Sequence, residues 1–244
     1  MKIGIFGDSF GAASEFSMID ESHWVNVIGA RHDVTNFSKT GTNLYWSYKL
    51  IEKHHNDFDV CILILTGWGR YFTPNAKNPE VQHCCTMRHM ERLRASPGLC
   101  DSDKKIVEAL YNYKLYAESE EEAALFHDML CERIESMVTN IIIIPTMIGS
   151  KNASDYVQKK EYNYIPMVTI AEIDLRYCNM QWSDVTYDKR ASHMSPENNI
   201  IFGKKLLDYL ESDRSTDFKI CLDDYTTPTI SKAEAKNRYF TDTR

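Results

Sequence analysis

Near the start of the chain, Gly7-Asp8-Ser9-Phe10-Gly11 holds an acid and a hydroxyl between two glycines. It follows Lys2-Ile3-Gly4-Ile5-Phe6, an apolar run short enough, and closed abruptly enough by Gly7, to read as a buried strand. A serine at the carboxyl end of a buried first strand stands where open α/β sheets place their ligands. Flanking glycines let the backbone turn sharply and let a reacting group come close. Ser9 is therefore a candidate nucleophile. The same residues also suit a helix start, since Asp and Ser both cap well, so the rest of the chain must decide. A serine needs a base within hydrogen-bond reach to attack near neutral pH, and histidine is the usual one. His193, just ahead of Ser195-Pro196-Glu197, is the candidate. Negative charge developing on a substrate needs fixed N–H donors, which the backbone amides of Ser9 and Gly41 could supply, each in a turn leading into a helix.

The elements that would carry these residues alternate. Ser22 to Ala30 has apolar residues at Trp24, Val25, Val27 and Ile28, a helix begun by Ser22 and stopped near Gly29. Asp33 to Phe37 is a second strand, and Lys39-Thr40-Gly41-Thr42 a turn opening a helix through Leu44, Trp46, Tyr48, Leu50 and Ile51. Val60 to Leu65 is unbroken apolar sequence, a central strand that ends in Thr66-Gly67-Trp68-Gly69-Arg70. From Tyr71 to about Asp103 the pattern weakens to an irregular insertion with a short helix. Ile106 to Val138 reads as helical, with Phe126, Leu130, Ile134 and Met137 as the apolar stripe of its second half and Glu118 to Glu122 as that half's solvated first turn. Asn140 to Pro145, with four isoleucines, is another buried strand. Serine at the cap, Pro196 first and Glu197 next open a last helix through Phe202, Leu206 and Leu210. The stretch from Ser150 to Asp188 has no clear assignment.

Strands alternating with helices imply α/β: three layers, α/β/α, around a mostly parallel, flavodoxin-like sheet with a helical insertion. The expected division is a domain over residues 1–212, its insertion at about 71–138, and a polar C-terminal arm over 213–244. The arm is the segment through which copies of the chain would associate.

The 244 residues carry a formal net charge of −7, which argues against a general binder of nucleic acid or anionic membranes. No apolar stretch approaches a bilayer span, and Met1-Lys2 runs straight into the first strand, so no signal peptide is expected. Cys61, Cys84, Cys85, Cys100, Cys131, Cys178 and Cys221 are odd in number and irregular in spacing, which fits reduced thiols in a cytoplasmic protein.

Taken together, the quoted blocks resemble the SGNH (GDSL-type) hydrolase family. Gly7-Asp8-Ser9-Phe10 is similar to its first block, Gly41 after Asn36-Phe37-Ser38 to its second, and His193-Met194-Ser195-Pro196-Glu197-Asn198-Asn199 to its last. Order and spacing fit from residue 1 to about 210, and the last block most resembles intracellular, phage-encoded members, which would work in the host cytoplasm. The resemblance implies a serine hydrolase cleaving an ester bond of a small molecule, without metal or other cofactor. Ser9 would attack, His193 would accept and return the proton, and Asp188 would orient His193. Gly41, with Asp8, Gly67, Arg70 and Asn43 around it, would form the oxyanion and substrate-binding set.

Two positions depart from the family pattern. The third block should read Gly-x-Asn-Asp and reads Gly67-Trp68-Gly69-Arg70, so the oxyanion-donating asparagine is missing. Losing such a donor costs about 2.7–4 kcal/mol elsewhere. Arg70 could replace it if it turns inward, and a guanidinium suits phosphate or carboxylate better than a neutral ester. The acid normally three residues before the histidine is Arg190, leaving Asp188 or Asp184, or a backbone carbonyl and a Ser-His dyad. Two rival readings follow. One is a phosphomonoesterase acting on small phosphates such as deoxynucleoside monophosphates, motivated by the glycine-rich turns with Arg70 and Arg190. The other is a catalytically degenerate phage protein that binds a host partner. Elsewhere, His83-Cys84-Cys85 with His89 and Cys100 lacks a paired zinc spacing. Trp24, Trp46 and Tyr48 read as core, and His54-His55 as a solvated helix end.

Overall fold

The structure is a computed structural model that describes residues 1–12, 22–67, 70–82, 87–145 and 196–214. In chain order the elements are β1 (Lys2–Phe6), α1 (Trp24–Gly29), β2 (Asp33–Asn36), α2 (Leu44–His54), β3 (Val60–Leu65), α3 (Pro79–Gln82), α4 (Met87–Arg94), α5 (Asp101–Tyr116), α6 (Glu120–Met137), β4 (Ile141–Pro145) and α7 (Pro196–Glu211). The strands pair in the order β2-β1-β3-β4. Every pairing is parallel, with Ile3 opposite Val34 and Val60, and Leu63 opposite Ile143. Parallel strands need crossover helices, and those helices cover both faces.

Strand alternation sorts the core into two layers. Ile3, Ile5, Val60, Ile62 and Ile64 point to one face and pack with Trp24, Val25 and Ile28 of α1 and Phe202, Leu206 and Leu210 of α7. Phe6, Cys61, Leu63 and Leu65 point to the other and pack with Leu44 and Ile51 of α2 and Cys131 and Ile134 of α6. The fold is therefore three-layer α/β/α. Because all strands run the same way, the chain leaves β1, β2 and β3 at one edge, carrying residues 7–12, 37–43, 66–67 and 70 there. The strand order reverses around β1, with β2 on one side and β3 on the other, which is where such sheets bind ligands.

Gly7 ends β1 because no other residue fits. A Cβ at this position would stand 2.5 Å from the Cβ of Ile64, and φ is 156°. Gly7→Ala is expected to cost about 2–4 kcal/mol through overpacking and backbone strain together. Urea unfolding would register this as a lower midpoint, and an unchanged midpoint would show that β3 yields at Ile64.

Several sequence expectations shift. The first helix is capped by His23, whose Nδ1 accepts from the Val25 N–H at 3.3 Å, rather than by Ser22. Residues 71–103 are more helical than expected, holding α3, α4 and the start of α5 around Val81, Met90, Leu93 and Val107. The long helix is two, broken at residues 117–119, with Ser119 accepting from the Glu122 N–H at 3.2 Å to cap α6. Glu118 is not solvated. Its side chain is 9% exposed, pairs with Lys114 Nζ at 2.7 Å and accepts from the Tyr71 hydroxyl. On α6 the buried line is His127, Cys131 and Ile134, while Phe126 is 54% exposed. His54 is half-buried against the Phe37 ring instead of free in solvent. Trp24 is core as expected, whereas Trp46 and Tyr48 are half-buried.

Among the described residues no helix is long and apolar enough to cross a membrane. Cys61, Cys100 and Cys131 are unbridged, and burial pushes the Cys61 thiol up to about 11. Cys84, Cys85, Cys178, Cys221, His83 and the arm from residue 215 onward lie outside the described residues.

Candidate active site

Leaving β1, the chain makes a turn closed by the Gly11 N–H donating to the Asp8 carbonyl at 3.0 Å. Asp8 Oδ1 accepts from the Phe10 N–H at 3.1 Å, the side-chain-to-backbone bond that aspartate offers in turns. Asp8 is fully buried, and Ser9 is 6% exposed at the head of the turn. Two outside bonds fix the turn. The Trp24 indole donates to the Phe10 carbonyl at 2.7 Å, and Asn36 Nδ2 donates to the Gly11 carbonyl at 2.6 Å.

The turn after β2 runs alongside. The Lys39 N–H donates to the Gly7 carbonyl at 3.1 Å, and the Thr42 N–H to the Lys39 carbonyl at 3.3 Å. Gly41 occupies its third position with φ 77°, the left-handed conformation that a type II turn requires there. Among the described residues no protein acceptor takes the Gly41 N–H. The Thr42 hydroxyl lies 2.9 Å from the Gly7 carbonyl and 2.8 Å from that of Lys39, with one proton to share between them. Asn43 Oδ1 caps α2 by accepting from the Trp46 N–H at 3.0 Å. Its Nδ2 donates to the Arg70 carbonyl at 3.3 Å.

Arg70 does turn inward. Its Nη1 stands 2.9 Å from Asp8 Oδ2, and the side chain is 18% exposed. The same nitrogen donates to the Thr42 carbonyl at 3.3 Å. The Asp8 contact is close but poorly aligned for a hydrogen bond, so Oδ2 is held by charge. Arg70 thus joins all three strand-end segments: it touches the residue before Ser9, it touches the residue after Gly41, and it belongs to the third. Gly67 follows Thr66 at the same edge and is half-buried. Lys39 adds a second cation beside the Gly41 turn, its Nζ 5.8 Å from the centre of the Trp46 ring, which packs on Phe72 at 5.1 Å.

His127 is a residue the sequence did not single out. From α6 its Nε2 reaches the Thr66 carbonyl at 2.8 Å. A carbonyl only accepts, so Nε2 carries the proton and Nδ1 faces the Cys131 thiol at 3.9 Å. Burial lowers its pKa below the usual imidazole value, with the Thr66 bond and Asp128 opposing. Above about pH 6.5 both folded and unfolded chains hold this ring neutral, so its site is fully stable there. Below that, the unfolded chain takes up a proton that the folded one resists, and stability falls by at most about 1.4 kcal/mol per pH unit until the lowered folded pKa is passed. Substituting His127→Gln is expected to flatten this part of the stability profile between about pH 6.5 and 5. Parallel slopes for parent and variant, from urea unfolding across that range, would contradict it.

Of the residues expected at the site, the described segments bring Asp8, Ser9, Gly41, Asn43, Gly67 and Arg70 to one edge. His193, Asp188, Asp184, Arg190, Trp68 and Gly69 lie outside the described residues. The first turn of α7 is nevertheless tied to the site, because Asn199 Oδ1 accepts from the Trp24 N–H at 3.4 Å and the Trp24 indole holds the Ser9 turn. Trp24, Asn36 and Thr42 were visible only as core or turn types, since nothing in their spacing reveals a bond across the sheet edge. Among the described residues no cluster of three or more His, Cys, Asp or Glu side chains could hold a metal ion.

No protein-family model matches the chain, and no curated protein does. Solved structures with a similar trace include a member of the lipolytic G-D-S-L family from Veillonella parvula DSM 2008, 12% identical, covering 88% of this chain and 100% of that one at a TM-score of 0.42. A G-D-S-L family protein from Desulfitobacterium hafniense DCB-2 is 14% identical, covering 85% and 98% at a TM-score of 0.41. The psychrotrophic esterase EstA from Pseudoalteromonas sp. is 13% identical, with 60% of this chain matched to 59% of that one at a TM-score of 0.30. Likenesses this slight do not bear on activity, which has to be read from the residues themselves.

Proposed function

We propose that the chain is a serine hydrolase of SGNH type that cleaves an ester bond in a small molecule. Ser9 Oγ attacks the ester carbon as His193 takes its proton. The negative charge that develops on the carbonyl oxygen is met by the amides of Ser9 and Gly41, and His193 then returns the proton to the departing alcohol. Asp188 orients His193. Water completes the cycle by the same steps in reverse roles.

The observation that carries this reading is the meeting of the Ser9 turn and the Gly41 turn at the β1 switch point, with the Gly41 N–H unused among the described residues and the start of α7 tied in through Trp24. The residue given the role of base precedes α7 by three positions in the sequence, and the anchoring of α7 to the Ser9 turn through Trp24 supports that role. A fluorophosphonate probe followed by peptide mapping tests the proposal: an adduct on Ser9, together with turnover of short-chain aryl esters, is the expected result. Hydrolysis of nucleoside monophosphates with Ser9 unlabelled would favour the phosphomonoesterase reading. Neither label nor turnover would leave a binding protein.

A further inference from the structure

We propose that Arg70 makes this site selective for esters that carry a carboxylate or phosphate close to the scissile bond. The inference rests on the serine hydrolase reading and adds the class of substrate.

Arg70 is in contact with both neighbours of the proposed reaction centre, Asp8 beside Ser9 and Thr42 beside Gly41. Both of these contacts are made by Nη1. Among the described residues its Nε and Nη2 donate no hydrogen bond, and they form the edge of the guanidinium that pairs with a planar or tetrahedral oxyanion through two parallel N–H bonds. The backbone is held as well, since Asn43 Nδ2 donates to the Arg70 carbonyl. A substrate held by the Gly41 N–H would therefore meet a fixed fork of donors within the same sheet edge. Lys39, on the Gly41 turn, adds positive charge on that side. The chain as a whole carries −7, so attraction for an anion has to be local, and these two side chains make it so.

Neutralising Asp8 is the alternative explanation for an inward arginine, and it predicts something different. Lysine would neutralise Asp8 as well as arginine does, but it lacks the fork. The experiment compares para-nitrophenyl hemisuccinate with para-nitrophenyl butyrate, which share a leaving group and an acyl length and differ in one carboxylate. The parent protein is expected to prefer the hemisuccinate in kcat/KM. Arg70→Lys and Arg70→Gln should reduce that preference by about ten- to a hundredfold, mainly through KM. Because the readout is a ratio within one protein, a smaller folded fraction cancels, and Arg70→Lys decides if Arg70→Gln fails to fold. A second arm with the para-nitrophenyl ester of 3-phosphonopropanoate, in which a phosphonate takes the place of the carboxylate, separates the two anions: a preference for it that falls in the variants assigns phosphate, and loss of the hemisuccinate preference assigns carboxylate. A parent that prefers neither anionic ester over the butyrate while Ser9 still labels overturns the selectivity and leaves the hydrolase. So does a ratio unchanged in both variants. Absence of both labelling and turnover overturns the two together.

Discussion

Ser9→Ala is expected to lower ester turnover by on the order of 10⁴- to 10⁶-fold and to abolish fluorophosphonate labelling, with thermal unfolding close to that of the parent. The rate falls so far because, without Oγ, no covalent bond to the substrate can form, and the Gly41 amide and Arg70 are left to polarise an ester that nothing attacks. The fold survives because the turn is fixed from around the serine: by Asp8 Oδ1 on the Phe10 N–H, by the Gly11 N–H on the Asp8 carbonyl, and by the Trp24 indole on Phe10. Alanine also fits the space that serine occupies. Initial rates on para-nitrophenyl butyrate, read beside the unfolding transition, decide the matter. Retention of more than about a tenth of the parent rate, a barrier change under about 1.4 kcal/mol, would remove Ser9 from the chemistry.

The strands and the α2 and α7 helices were legible because burial on both faces leaves a plain record. Val60 to Leu65 has no polar residue because every position in it meets a core. Gly7 was legible for a similar reason: a run that stops at glycine stops where a side chain would strike its neighbour strand. The α6 stripe holds at Leu130, Ile134 and Met137, which pack in the core, and fails at Phe126, which is exposed while His127, bonded to the Thr66 carbonyl, is buried beside it in the sequence. Glu118 misled for a different reason. A carboxylate in an acidic run looks solvated until Lys114 and Tyr71, the latter distant in sequence, close over it.

For the site, sequence could mark residue types at strand ends but not what each faces. Ser9, Gly41 and Arg70 were marked, and topology brings their segments to one edge. Asp8 and Asn43 were marked as substrate-facing, yet the first is fully buried on Arg70 and the Phe10 N–H, and the second is turned to the α2 N-terminus and the Arg70 carbonyl. These two hold the site's shape through protein contacts. Arg70 was ambiguous in sequence because an arginine after a loop is usually solvated, and only its partner makes it otherwise.

That partnership carries the second large effect. Arg70→Met is expected to destabilise the fold by about 2–4 kcal/mol. Breaking a buried ion pair from one side costs about 3–5 kcal/mol, because the other charge stays buried and uncompensated. The figure is reduced here because the Arg70 side chain is 18% exposed and water can reach part of the gap it leaves. Methionine keeps the apolar stem, so the loss reports charge rather than packing. Asp8→Asn should cost less, about 1–2 kcal/mol. The amide can still accept from the Phe10 N–H, and a half-buried guanidinium that loses its partner can turn to solvent. The double variant Asp8→Asn/Arg70→Met should then lie near Asp8→Asn alone, since no charge is left stranded, which gives a coupling about as large as the Arg70→Met cost itself, roughly 2–4 kcal/mol. Urea unfolding of the four proteins measures this, provided their slopes agree. Single effects that add to within about 0.5 kcal/mol would mean that Asp8 and Arg70 do not interact in the folded chain, and the inward arginine would lose its physical reason.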